Sequence, residues 1–231
     1  MIRILLLAAL LITASPAKAQ CGHDYGREVQ GILARLPNLE GERPRLVLVG
    51  SSTFRLWYDA QAHFTQFELV NAGIGGSCFN DLIAYREQLF IETRPEVVAL
   101  YEGDNDLAAG ISEVEILRNA ELIVEWFQVR TERRVPIVIV APKPSPSRMA
   151  LAPKYRRLNK QLRLLAQRHQ LGFVDTWAAL CTPEGVPNPE FYQADQLHLN
   201  DMGNAALANA MNKVLPKWLR ISSLAKSLIA D

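Results

Sequence analysis

The chain has 231 residues, 49% of them hydrophobic, with 25 Lys and Arg against 24 Asp and Glu and a formal net charge of +1 at pH 7. Such a length accommodates one sizeable domain with a buried core. The near-balance of charge gives no electrostatic reason to expect nucleic acid or an anionic membrane as a partner.

The first element is a leader. Residues 1–20, MIRILLLAALLITASPAKAQ, place Arg3 before an apolar run over 4–14 and end on the small-x-small triplet Ala17, Lys18, Ala19. This pattern predicts a signal peptide over residues 1–19, cut before Gln20, and a periplasmic or secreted protein. A membrane anchor is the lesser alternative, because the run is short for a bilayer. Lipidation at Cys21 is a lesser one still, because Gln20 fits a lipoprotein signal poorly. Cleavage removes Arg3 and Lys18, leaving 23 basic side chains against 24 acidic ones. Residues 20–231 are expected to form one domain, with no stable membrane span after signal removal, since no later apolar run is long enough. Export would permit one disulfide among Cys21, Cys78 and Cys181, with one thiol left over. The pairing of Cys78 with Cys181 is favoured, because Cys21 would lie near a frayed terminus.

Helical spacing first occurs over 24–36. Short apolar runs rich in β-branched residues follow at 45–49, 67–70, 96–100, 135–140 and 173–174. They are continuous rather than alternating, the habit of strands buried on both faces. Between them, helical patterns occupy 80–90, a long stretch opening at Ser112, 153–169 and 203–215, where Pro216 ends or kinks the last. Ser112 with Glu115 makes a capping box, and Ile116, Ala120, Ile123 and Phe127 then share one face. The proline-rich segment 141–148 is a loop carrying Lys143 and Arg148, two cations expected to be solvated rather than to bind substrate. Strands alternating with helices predict a three-layer α/β/α sandwich on a five-stranded parallel sheet.

In an open parallel sheet the working groups gather at the carboxyl ends of the strands. There the chain reads GSST, NAGIGG and YEGDND, and past the fifth strand ADQLHLN. Ser52 is a candidate nucleophile, but a hydroxyl needs a base to take its proton. His198 is the candidate base, with Asp195 three residues upstream to hold its other nitrogen. Backbone N–H groups of Ser52 and Gly76, with the Asn105 amide, are candidate donors to an oxyanion. Asp106 is expected to brace its loop or the Asn105 amide. Trp57 is expected in the core, and Cys78 as a structural thiol or disulfide partner.

The set GSST with Ser52, NAGIGG with Gly76, GDND with Asn105 and DQLH with Asp195 and His198 resembles the four blocks of the SGNH (GDSL) hydrolases, in the same order. The resemblance implies a flavodoxin-like sandwich and acyl-ester hydrolysis through Ser52, with Gly76 and Asn105 completing the oxyanion hole. One departure stands out, since Ser51 occupies the place of the family's Asp. Ser51 and Ser52 therefore compete for the nucleophile's role, and position favours Ser52.

Other motifs fail on inspection. Gly73 and Gly75 begin G-x-G-x-x-G, but Cys78 replaces its third glycine. Asp104, Asp106 and Glu115 mimic part of a calcium loop, yet Ala108 and Ala109 cannot serve in it. The four histidines show no metal-type pairing, and no G-x-S-x-G elbow occurs. The expectation is an esterase for small-molecule, lipid or carbohydrate esters that needs no cofactor and no metal. An acyltransferase on the same residues and a non-catalytic glycan-binding protein are the alternatives.

Overall fold

The computed structural model describes residues 21–36 and 43–218. The expected leader and the segment beyond Trp218 lie outside the described residues. In chain order the elements are α1 (Gly26–Leu33), β1 (Arg45–Gly50), α2 (Ser52–Arg55), α3 (Ala60–His63), β2 (Glu68–Gly73), α4 (Phe79–Ala84), β3 (Val97–Tyr101) and α5 (Asp104–Ala108). Then follow α6 (Glu113–Arg130), β4 (Ile137–Val140), α7 (Ala152–Arg168), β5 (Gly172–Val174), α8 (Thr176–Leu180) and α9 (Asp201–Asn212).

All five apolar runs form strands, and every pairing is parallel in the order β2-β1-β3-β4-β5. Their continuous apolarity has a direct cause, because successive side chains enter opposite cores. Val47, Val49, Val98, Leu100, Ile137 and Ile139 pack under α1, α4, α6 and α7. Leu46, Leu48, Val97, Ala99, Val138 and Val140 pack under α2, α3, α8 and α9. Full burial of each such side chain contributes roughly 1.5–3 kcal/mol, so two cores rather than one hold the sheet. Trp57 lies in the second core, 1% exposed and edge-on to Phe64.

The helices follow their caps. The Ser112 hydroxyl accepts from Glu115 N (3.2 Å), and Ile116, Ala120, Ile123 and Phe127 are all buried. The helix expected over 80–90 divides instead. Tyr85, whose hydroxyl donates to Asp24 Oδ1 (2.8 Å), leaves helical geometry, and a separate π-helical turn covers Gln88–Glu92. The last helix opens two residues earlier than its pattern suggests, because Asn200 Oδ1 caps Gly203 N (3.0 Å).

At the rim of the sheet, two amides of β2 are answered by side chains. Leu69 N donates to Gln61 Oε1 (3.0 Å) and Gly73 N to Asn71 Oδ1 (3.0 Å). At the other rim, β5 has only three residues.

The expected Cys78–Cys181 bridge does not form. Cys78 is bonded to Cys21 with Cα atoms 5.4 Å apart, and Cys181 is a free thiol. Cys21 is not frayed, because Asp81 accepts from both Gly22 N (2.9 Å) and Cys78 N (2.8 Å) and holds the two segments together.

Candidate active site

The strand β1 ends on Gly50, and a Cβ there would sit 1.9 Å from Tyr101 O. Only glycine allows β1 and β3 to close this tightly as the chain turns. Ser51 N then donates to Tyr101 O (3.3 Å), and Ile74 N to Gly50 O (2.7 Å), so the loops after β1, β2 and β3 leave the sheet side by side. Ser51 caps α2 with its carbonyl and turns its hydroxyl inward, where Oγ is buried without a hydrogen-bond partner. Ser52 begins α2 and keeps its hydroxyl at the surface of the site.

His198 reaches it from the far end of the sequence. Its Nε2 lies 3.1 Å from Ser52 Oγ, and its Nδ1 lies 2.5 Å from Asp195 Oδ2. A carboxylate can only accept here, so Nδ1 carries the proton and Nε2 accepts from the serine. The Asp195–His198 segment is a turn before α9, pinned by Gln193 N to His198 O (2.8 Å) and Ser147 N to Gln196 O (3.0 Å). Asp195 Oδ1 takes the Leu197 amide (2.9 Å) and the His198 amide (3.0 Å). Partial burial acts to raise the Asp195 pKa, but these amides and the imidazole outweigh it and hold the carboxyl below its ordinary value. Of the two serines, the structure brings Ser52 and not Ser51 to the imidazole.

Gly76 lies in the turn after β2 with φ +82°, a conformation that glycine adopts at little cost. The residues that follow are each held by a group on the YEGDND segment or on α4. Ser77 Oγ donates to Glu102 Oε2 (2.7 Å) and Asn105 Nδ2 donates to Ser77 O (3.0 Å). Cys78 N donates to Asp81 Oδ2, and Phe79 N to Asp106 Oδ1 (3.1 Å). Asp106 thus braces the start of α4 rather than its own loop or the Asn105 amide, the expected targets. Burial first, and then the nearby Asp106, pushes the Glu102 pKa well up; burial raises that of Asp106 to about 7.

Lys143 and Arg148 depart from expectation. Both turn into the protein rather than into solvent, because Asp104 is buried and accepts from them. Lys143 Nζ lies 3.4 Å from Asp104 Oδ2 and is 1% exposed, and Arg148 Nη1 pairs with Asp104 Oδ1. The Tyr101 hydroxyl (2.9 Å) and the Tyr155 hydroxyl complete the cage. Burial would raise the Asp104 pKa, yet the two cations outweigh it and hold the carboxyl far below the usual carboxylate range. With Asp104 so occupied, the calcium-loop pattern loses its first ligand. Among the described residues, Glu121, Glu125 and His169 converge as a group able to hold a metal, but Arg168 already pairs with Glu121 (2.9 Å) and none of them belongs to the site.

The sequence contains Ser52, Gly76, Asn105, Asp195 and His198 in the order of the motif segments, but nothing in it marked Arg148 or Tyr155 as part of their support. For Glu102 the available signal was an acid placed directly after the apolar strand β3.

Comparisons place this geometry. An inferred acylhydrolase of Bacteroides fragilis superposes with a TM-score of 0.72 at 22% identity, covering 85% of this chain and 97% of its own. A GDSL-like lipase of Bacteroides thetaiotaomicron gives 0.69 at 18% identity, covering 82% and 96%. A variant acetyl-xylooligosaccharide esterase of Geobacillus stearothermophilus gives 0.64 at 18% identity, covering 75% and 94%. No curated protein matches the sequence. Residues 49–206 match the GDSL-like Lipase/Acylhydrolase family as a sequence family. The matched span runs from the end of β1 to α9 and takes in all four motif segments, so the chain belongs to the GDSL-like Lipase/Acylhydrolase family and is a carboxylic ester hydrolase.

Proposed function

We propose that the chain is an exported serine esterase acting on short acyl esters, chiefly acetyl esters of carbohydrates, through an acyl-enzyme at Ser52. The relay of 3.1 Å and 2.5 Å from Ser52 through His198 to Asp195 carries this reading. The Ser52 proton passes to His198 Nε2 as Oγ bonds to the acyl carbon. The negative carbonyl oxygen takes the N–H groups of Ser52 and Gly76 and the amide of Asn105, each such donor contributing about 3 kcal/mol in comparable enzymes. Collapse breaks the bond to the alcohol, which leaves with the proton from Nε2. Water then gives a proton to Nε2 and its oxygen to the acyl carbon, and Ser52 recovers its proton as the acid departs.

Two observations support the narrower reading. The Asp195 side chain is 45% exposed and that of His198 23%, so water reaches the base and hydrolysis is favoured over transfer to another alcohol. Two of the structures sharing the fold are acetylxylan esterases by name. A disulfide and a leader-like start accord with export.

The test is hydrolysis of p-nitrophenyl esters from acetate to palmitate, beside acetylated xylo-oligosaccharides, with fluorophosphonate labelling. Ser52→Ala is expected to abolish both turnover and label, and Ser51→Ala to keep most of each. A label on Ser51, or turnover by Ser52→Ala, would refute the nucleophile. Greater activity on palmitate than on acetate would refute the acyl class.

A further inference from the structure

An amide side chain is ambiguous by half a turn, since flipping it exchanges a donor for an acceptor. At Asn105 two contacts remove the ambiguity. Nδ2 donates to Ser77 O (3.0 Å) and Oδ1 accepts from Arg148 Nη2 (3.1 Å). The flipped amide would set its NH2 against a guanidinium and its oxygen against a carbonyl. With one Nδ2 hydrogen spent on Ser77, the second is left for another acceptor.

Arg148 is itself fixed. Its Nη1 donates to Asp104 O (3.0 Å) and pairs with Asp104 Oδ1, so one guanidinium grips two consecutive residues of α5. Asp104 also faces Lys143, so one carboxylate is shared between two basic side chains. Burial disfavours the charged form of Arg148, but Asp104 more than offsets it and the pKa is raised, so the charge persists across any working pH.

We propose that Arg148 is a positioning residue for ester hydrolysis: by holding Asn105 Oδ1 it aims the remaining Nδ2 hydrogen at the oxyanion, and its charge strengthens that donor. This role rests on the Ser52 reading above. It acts wholly through Asn105.

The experiment measures kcat and KM on p-nitrophenyl acetate for the wild-type protein, Arg148→Ala, Asn105→Ala and the double variant. Arg148→Ala is expected to lower kcat about 10- to 100-fold with KM changed less than about threefold. The double variant should be no slower than Asn105→Ala alone, since a residue acting through another adds nothing once that one is gone. Millimolar guanidinium should restore Arg148→Ala and not the double variant. A kcat for Arg148→Ala within about twofold of wild type, or losses that multiply in the double variant, overturns the proposal. Lys143 remains to pair with Asp104, so the fold should survive. Should Arg148→Ala not fold, Arg148→Lys keeps a cation on Asp104 but has a single nitrogen; the same kcat loss at unchanged Tm is expected, and full kcat overturns. Turnover by Ser52→Ala would sink the underlying reading, whereas an inactive Ser52→Ala beside a fully active Arg148→Ala sinks this inference alone.

Discussion

Asp106 has one carboxylate oxygen on Phe79 N and the other buried without a partner, and the residue is fully inaccessible. Burial lifts its pKa from an ordinary 3.8 to about 7. As pH rises from about 4 to about 7, the unfolded chain gives up a proton that the folded chain keeps. The contribution of Asp106 to stability is therefore complete below that window, falls through it and is lowest above it. Asp106→Asn retains an oxygen for Phe79 N and has no proton to lose. Its Tm relative to wild type should improve between pH 5 and pH 8, by on the order of 5 °C for a chain of this size, measured by scanning calorimetry. A difference that stays constant with pH would show that Asp106 is ionised at both. The same buried group illustrates what was legible at this scale. That Asp106 has a bracing role is read from its place after a strand, but its partner, Phe79 N, lies 27 residues earlier and is met only in the fold. That Lys143 and Arg148 turn inward is not legible, because their partner Asp104 lies 39 and 44 residues earlier and a proline-rich segment with two cations has the composition of a solvated loop.

Among the elements, the turn bearing Gly76 depends most on links made outside it. Its exit is joined to the segment before α1 by Cys21–Cys78, which spans 57 residues of sequence. A loop of that length corresponds to about 4 kcal/mol of unfolded-state entropy, with about 2–4 kcal/mol usual in practice. Reduction with dithiothreitol, or Cys21→Ser, should lower Tm by several degrees and also lower kcat, because Gly76 loses a tether. Cys181→Ser should change neither. Equal Tm and kcat for the reduced and oxidised protein would deny the bond any part in holding the site. The misassigned bridge has a physical source. A cysteine at the start of a mature chain reads as loose, and the Asp81 carboxylate that fastens it is visible only when the chain is folded. Strands, by contrast, were legible in every case, since a residue run that must be apolar on both faces leaves few other readings.

For the molecule as a whole, the leader expected from the sequence over residues 1–19 has the plainest consequence. Full-length protein expressed in a bacterium should be recovered from the periplasm or medium with Gln20 at its N-terminus, by Edman sequencing or intact mass; Met1 retained on a cytoplasmic product would refute export. The three-layer arrangement on a parallel sheet followed from alternating strand and helix patterns, whereas the order β2-β1-β3-β4-β5 emerges only in the fold; the approach of His198 to Ser52 followed from two short segments, GSST and DQLH. The sheet also ends in a way that matters to its life at high concentration. The amides of Leu69 and Gly73 are already satisfied by Gln61 and Asn71, and the opposite margin is a three-residue strand. Two outward amides of β2 are thus withdrawn from any stranger's chain and the opposite margin is too short to template one, which lowers the tendency to fibrous self-association.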